Sequence, residues 1–300
     1  MTGRGSMTDA TLPTAAARQR LPLAWLGIVP FLVFALLFLI MPTLNLVVGA
    51  FQDNSGAFSL DSIVQLWNNP KIVAAYWISI KISAISALLG ALAGFFIALA
   101  IVRGGLAPWV RSATLTFSGV ASNFAGVPLA FSFLATMGRL GLVTVFLNHV
   151  LGLDIYRMGF NPLNSWGLIS VYLFFQIPLM IVIITPAIDG LKREWAEAAA
   201  TLGASNAQFW RMVALPVLWP SLLGTFILLF ANAFGAIATA YAFTGSSLNI
   251  VPILLYAQIR GDVLYNPHLG YALAFGMIVI TGLANIFYIW LRMRSERWLK

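Results

Sequence analysis

Lys192 to Pro220 reads KREWAEAAATLGASNAQFWRMVALPVLWP. The run opens with two cations, holds no lipid-compatible span, and separates two strongly apolar segments, 166–188 and 217–240. Its local chemistry reads as a helical hairpin. Residues 194–202 are rich in strong helix formers, with Glu194 and Glu197 near the start, where the helix dipole favours negative charge. Gly203 can take a left-handed conformation and end that helix. Ser205 and Gln208 then form an S-x-x-Q capping box, which starts a second helix. Phe209, Trp210, Met212 and Val213 make the second arm adhesive, and Pro216 and Pro220 are expected to end it.

Composition sets the surroundings of this hairpin. The 300 residues are 60% hydrophobic and only 9% charged, far from the quarter charged of soluble domains. The chain is therefore an all-α polytopic membrane protein, long enough for about six spans of roughly twenty residues each. The net charge of +8 fits cytoplasmic Lys and Arg that set topology, and nucleic acid is not implied. With no cysteine, disulfides, thiol catalysis and Cys-ligated metals are excluded.

Residues 1–20, with Arg4, Arg18 and Arg20, read as a disordered cytoplasmic tail. The apolar run 23–50 is too long for a cleaved leader and reads as the first span, kinked or bounded by Pro30 and Pro42. A polar loop follows, with Asp53, Asn54, Asn68 and Asn69, a short interfacial helix starting near Asp61, and Trp67 at headgroup depth. Residues 21–71 thus hold the first span and an external loop. Span two covers 72–102, where Gly90 and Gly94 give a small-residue face for close packing.

Span three, 112–137, is rich in Ser, Asn, Gly and Ala, which places it in the interior, with a break expected near 122–128. An external stretch, 138–164, carries a short helix at 142–151. Span four is 165–188, span five 220–243 and span six 268–290. Between the last two lies a loop, 244–267, whose apolar middle dips toward the membrane, and residues 293–300 form a second tail. Twelve of the 17 Lys and Arg fall in the first tail, after span two, in the hairpin and after span six. The positive-inside rule then puts both termini and the hairpin in the cytoplasm.

The hairpin resembles the coupling segment, here 189–216, of type I importer permeases of the ABC transporter class. That pattern is Glu-Ala-Ala, three residues, Gly, nine residues, Ile or Val, any residue, Leu-Pro. Glu197, Ala198, Ala199, Gly203, Val213, Leu215 and Pro216 fall on it without a gap. Gly138-Arg139-Leu140-Gly141-Leu142-Val143 is similar to an element that follows span three in the polyamine, iron(III), thiamine and phosphonate branch. The resemblance covers about 72–292 and implies six transmembrane helices, a cytoplasmic coupling helix and a bacterial inner-membrane location. It also implies the partners: a cytoplasmic ATPase dimer that binds ATP and Mg, a second permease subunit (a different one, with a homodimer as the other arrangement), and a periplasmic solute-binding protein. Glu197 is expected to hold the loop or touch the ATPase. Ala198 and Ala199 permit close approach, Gly203 sets the bend, and Leu215 and Pro216 lock the hairpin to span five.

An enzyme finds little support. A phosphate-binding loop needs Gly-Lys followed by Ser or Thr, and none of Lys71, Lys81, Lys192 and Lys300 is so followed. His149 and His268 stand apart beside loops and read as structural, so no catalytic residue, metal site or cofactor is assigned. Polar groups at membrane depth are the remaining clue. Lys81, Asn123, Gln176, Asn232, Thr239 and Asn285 are candidates for a translocation path; the alternative is snorkelling to the outer interface for Lys81 and helix bridging for the other five. The middles of the spans hold no Asp or Glu, and Phe230-Ala231-Asn232-Ala233-Phe234-Gly235 lacks the acid of polyamine-type relatives. A dication crossing low dielectric would need such a counter-charge, which argues against a polyamine. The competing function is an ion-gradient-driven secondary transporter, for which neither an inverted repeat nor a buried acid is visible.

Overall fold

The computed structural model describes residues 24–53, 55–261 and 267–296. The tail 1–20, Asn54, Asp262, Arg297 and Lys300 lie outside the described residues. The chain divides into two units, Met1–Asn45 and Leu46–Lys300. Among the described residues six helical stretches are long and apolar enough to cross a membrane: Gly27–Gly49, Pro70–Arg103, Gly126–Leu151, Ser165–Asp189, Asn206–Phe234 and His268–Arg294.

The first unit holds α1 (Ala24–Ala35), a π-helical turn at Leu36–Ile40 and the start of α2 (Met41–Gly49). Its apolar side chains, Phe31, Phe34, Phe38 and Leu39 among them, sit on the outside. The irregularity has a local cause. Pro42 has no N–H to give the carbonyl four residues back, and Met41 N donates instead to Leu36 O, five residues back. Pro30 sits inside α1 without ending it.

The second unit is built on α4 (Pro70–Arg103) and α8 (Ser165–Asp189). Each starts on a side-chain cap: Asn69 Oδ1 accepts from Lys71 N, and Asn164 Oδ1 accepts from Gly167 N. The glycine face expected in span two is where they meet. A Cβ on Gly90 would stand 2.9 Å from Gln176 Cβ, and one on Gly94 would stand 2.6 Å from Met180 Cβ. Bare backbone at these two positions lets the helices approach and build a core that includes Ala87, Phe95, Met180, Ile184, Leu229 and Phe230.

Around this pair stand α3 (Asp61–Asn68), α5 (Pro108–Ala121), α6 (Gly126–Met137), α7 (Leu142–Leu151), α11 (Leu215–Phe234), α12 (Ile237–Thr244), α13 (Val251–Arg260) and α14 (Pro267–Glu296). The short helices expected at Asp61 and at 142–151 are present, and Trp67 is exposed. Before α3, Asp53 Oδ1 accepts from Ser55 Oγ and from the N–H groups of Ser55 and Ala57, which holds its carboxyl below the ordinary range. The apolar middle of the 244–267 loop is α13, docked on the body. Val251 and Ile253 are buried, and Val251 N donates to Ser79 Oγ at 2.9 Å.

Two expectations are corrected. Span three is not interior to this chain: of α5 and α6, Ser118, Ala121, Leu129 and Ala130 are buried, while Phe117, Val120 and Phe131 stand exposed. Small and polar residues suit burial within one chain, and they serve a subunit or path surface equally well. Span five does not run unbroken to 243. It ends at Phe234, turns at Gly235 and Ala236, and resumes as α12.

Candidate coupling site and span junctions

The segment 189–216 folds as a bend between α9 (Arg193–Thr201) and α10 (Asn206–Phe209). Gly203 takes φ +78°, the left-handed conformation expected of it. Gly203 N donates to Ala200 O at 2.9 Å and Ala204 N to Ala199 O at 3.0 Å, the paired closure of a Schellman motif. Ser205 Oγ accepts from Gln208 N, and Ser205 N donates to Gln208 Oε1 at 2.7 Å, so the capping box is complete. Helix ends that would lose backbone hydrogen bonds are thus closed by local chemistry, and the bend is held in one geometry.

The second arm departs from expectation. Pro216 does not end it. A second π-helical turn, Trp210–Ala214, joins α10 to α11, so helix runs from Asn206 to Phe234. Leu215 N donates to Trp210 O, five residues back, and Pro216 follows with no N–H to place. This is the device already seen before Pro42. Pro220 also lies inside α11.

The two faces of the segment differ. Ala196, Ala199, Trp210 and Val213 pack on a core that includes Ile188, Leu191, Phe209 and Leu218. Glu197, Ala198, Leu202 and Met212 face outward, with Leu202 87% and Met212 73% exposed. Beneath the bend, Arg103 Nη2 donates to Leu191 O at 2.6 Å, and Arg111 pairs with Asp189 at 2.6 Å. Sequence reasoning placed these charges on the inner side but missed both links. The Arg111 pair is about 40% exposed, so it fixes geometry more than it stabilises, at roughly 0–1 kcal/mol.

The six polar candidates fall in different places. Thr239, which is buried, holds the end of the broken span that carries Asn123. The break at Ser122–Ala125 ends at Gly126, whose N–H donates to Thr239 Oγ1 of α12 at 2.7 Å. Asn123 is exposed beside it and donates to Gly119 O. Asn232 is exposed one turn before the second break. The other three stand elsewhere. Gln176 has no exposed surface: its Nε2 lies 3.4 Å from Ser86 Oγ and 3.3 Å from Leu229 O, so it bridges α4, α8 and α11. Lys81 is exposed, with Nζ 5.0 Å from the Trp77 ring centroid, on the stripe of α4 that carries Leu88, Leu92 and Phe96. Asn285 is exposed and donates to Thr281 O of its own helix. His268 Nδ1 lies 3.0 Å from Gly49 O, a structural tie.

The sequence profile described as "Binding-protein-dependent transport system inner membrane component" matches residues 90–300. The chain belongs to this family. It is a multi-pass inner-membrane protein and the permease subunit of an ABC importer. A sulfate transport system permease protein, CysT, of Salmonella typhimurium is 26% identical over 253 residues, 82% of this chain and 84% of that one. The molybdenum transport system permease protein ModB of Mycobacterium tuberculosis is 26% identical over 223 residues, 73% and 79% of the two chains. The fold matches a bacterial alginate ABC transporter solved in complex with an alginate pentasaccharide-bound periplasmic protein, at TM-score 0.68 and 20% identity, covering 93% of this permease and 95% of that chain.

Proposed function

We propose that this permease forms one membrane half of an oxyanion importer and is driven by cytoplasmic ATPases that grip the 189–216 bend. The carrying observation is the unbroken helix Asn206–Phe234, fixed at one end to α9 by a fully closed turn and ending at the Gly235–Ala236 break. A push on the exposed residues Glu197, Ala198, Leu202 and Met212 would move that helix as a rod. Its far end is the junction where buried Thr239 ties the Gly235–Ala236 break to the Ser122–Ala125 break that carries Asn123. Irregular backbone at membrane depth is tolerated where it is buried or lines a cavity, so this junction is the proposed translocation path, with Asn232 at its edge. Lys81 and Asn285 are left for lipid or subunit contacts, and Gln176 for holding the bundle.

Two observations favour an oxyanion. The sulfate and molybdenum permeases are relatives over most of the chain. The span middles hold no carboxylate that would attract a cation. The chain binds no cofactor itself, and ATP with Mg belongs to the ATPases. A related but different permease subunit completes the path, a homodimer being the other arrangement, and a periplasmic binding protein delivers the solute. Proteoliposomes holding the assembled transporter and its binding protein should take up labelled sulfate or molybdate only with ATP present. Uptake that persists without an ATPase, or that runs on an ion gradient, would overturn this reading.

Both termini and the bend are proposed to be cytoplasmic, as the Lys and Arg distribution supports. Glu197→Cys in the cysteine-free chain tests this directly. An impermeant maleimide should label it in inverted vesicles and leave it untouched in intact cells; the reverse result reverses the topology.

A further inference from the structure

Arg103 closes α4, and three adjoining concavities share it. One, of about 330 Å³, is apolar and runs along Phe96, Leu99 and Ala100 of α4, with Trp210 at its edge. The other two, of about 390 and 410 Å³, extend under the bend and are lined by Arg193 and, in the larger, by Lys192 and Arg111. Arg111 is committed to Asp189. Arg103 uses one of its five N–H donors, on Leu191 O. Arg103, Lys192 and Arg193 therefore line the larger hollow with Glu194, and Arg103 and Arg193 line the other with Glu197, leaving cationic charge in excess in each.

We propose that this cleft seats one anionic phospholipid, its phosphate among Arg103, Lys192 and Arg193 and an acyl chain along Phe96, Leu99 and Ala100. A soluble anion has no use for the apolar channel, where Phe96 is 62% exposed. A neutral lipid has no use for the cations. The two adjoin at a single residue, as headgroup and chain do in a lipid, and the apolar side is edged by Trp210, a residue type that gathers at bilayer surfaces. Cationic pockets between helices at the cytoplasmic surface are the known chemistry of such headgroups. Assignment to the inner leaflet rests on the orientation proposed above; occupancy of the cleft does not.

The test is native mass spectrometry of the full purified chain, titrated with dioleoyl phosphatidylglycerol or dioleoyl phosphatidylcholine. One phosphatidylglycerol should bind with about tenfold lower half-saturation than phosphatidylcholine. Lys192→Gln with Arg193→Gln should erase that preference, while thermal melting stays unchanged because both side chains are exposed. Equal binding of the two lipids overturns the proposal. So does displacement of the lipid by soluble glycerol phosphate, which would assign the cations to a free phosphate. A double variant that binds phosphatidylglycerol normally but no longer captures the ATPase would assign them to the protein interface, and also overturns it. These readouts are blind to membrane orientation, so failure of the Glu197→Cys labelling is told apart from failure here.

Discussion

Gly94→Ile is expected to leave almost no folded permease in detergent extracts, the largest stability effect of any single substitution in the α4–α8 contact. A Cβ at Gly94 would stand 2.6 Å from Met180 Cβ and 2.8 Å from Ile177 O. The carbonyl is helix backbone and cannot rotate aside. Overpacking a well-filled core by a methylene or two costs about 1–3 kcal/mol. Isoleucine adds four carbons where none fits, and the same seam carries Gly90 against Gln176. Separating the helices would therefore also strain the hydrogen bonds from Gln176 to Ser86 and Leu229. Gly119→Ala in α5 is the control, since nothing lies within 4 Å of a Cβ there. It should melt at or slightly above the parent temperature, because alanine favours helix over glycine by roughly 1 kcal/mol. A Gly94→Ile protein that purifies in normal yield with the parent melting temperature would refute the close-contact account.

Gly203→Val should produce the opposite pattern: a stable protein that does not transport. Nothing lies within 4 Å of a Cβ at Gly203, so no neighbour objects to a side chain. The objection is conformational, because φ is +78° and a β-branched residue pays about 1–2 kcal/mol or more to stay there. The bend would open, and Gly203 N and Ala204 N would lose Ala200 O and Ala199 O. The bundle beneath is untouched, so insertion and melting should hold. Uptake by the assembled transporter should fall tenfold or more while ATP hydrolysis continues, which is the signature of a broken linkage. Gly203→Asn, a residue that tolerates the left-handed region, should retain most uptake. Normal uptake by the valine variant would remove the mechanical role proposed for the bend.

What could be read in the sequence follows the range of the forces involved. Gly203, Ser205 and Gln208 act within five residues of one another, and their turn and cap are present as expected. Gly90 and Gly94 announce a close contact by their spacing, although not that α8 is the neighbour. Pro216 shows the limit of local rules. Its missing N–H argues for a helix end, yet a five-residue hydrogen bond to Trp210 O absorbs it. The break at Gly235 depends on what α12 packs against, and the link from Gly126 to Thr239 spans 113 residues. Gln176 was legible as polar and embedded, but its role as a bridge needed three helices at once. Arg103 and Arg111 were assigned a side of the membrane, while the carbonyl and carboxylate they hold came only from the folded chain.

The turn at Trp210–Ala214 also preserves a phase. Each residue in an α-helix advances its neighbours by about 100° around the axis, and a π turn accommodates one surplus residue without losing the helix. Met212 and Leu202 therefore look out at an angular offset from span five that this extra residue leaves unchanged. Excising one amino acid between 210 and 214 would restore a regular spiral with the flanks still in phase, whereas excising one from the regular turns of α11 that follow would swing the outward-looking patch by roughly a quarter-turn. Length in those regular turns is thus a compass setting, and insertions or deletions there would be felt more keenly than changes of side chain.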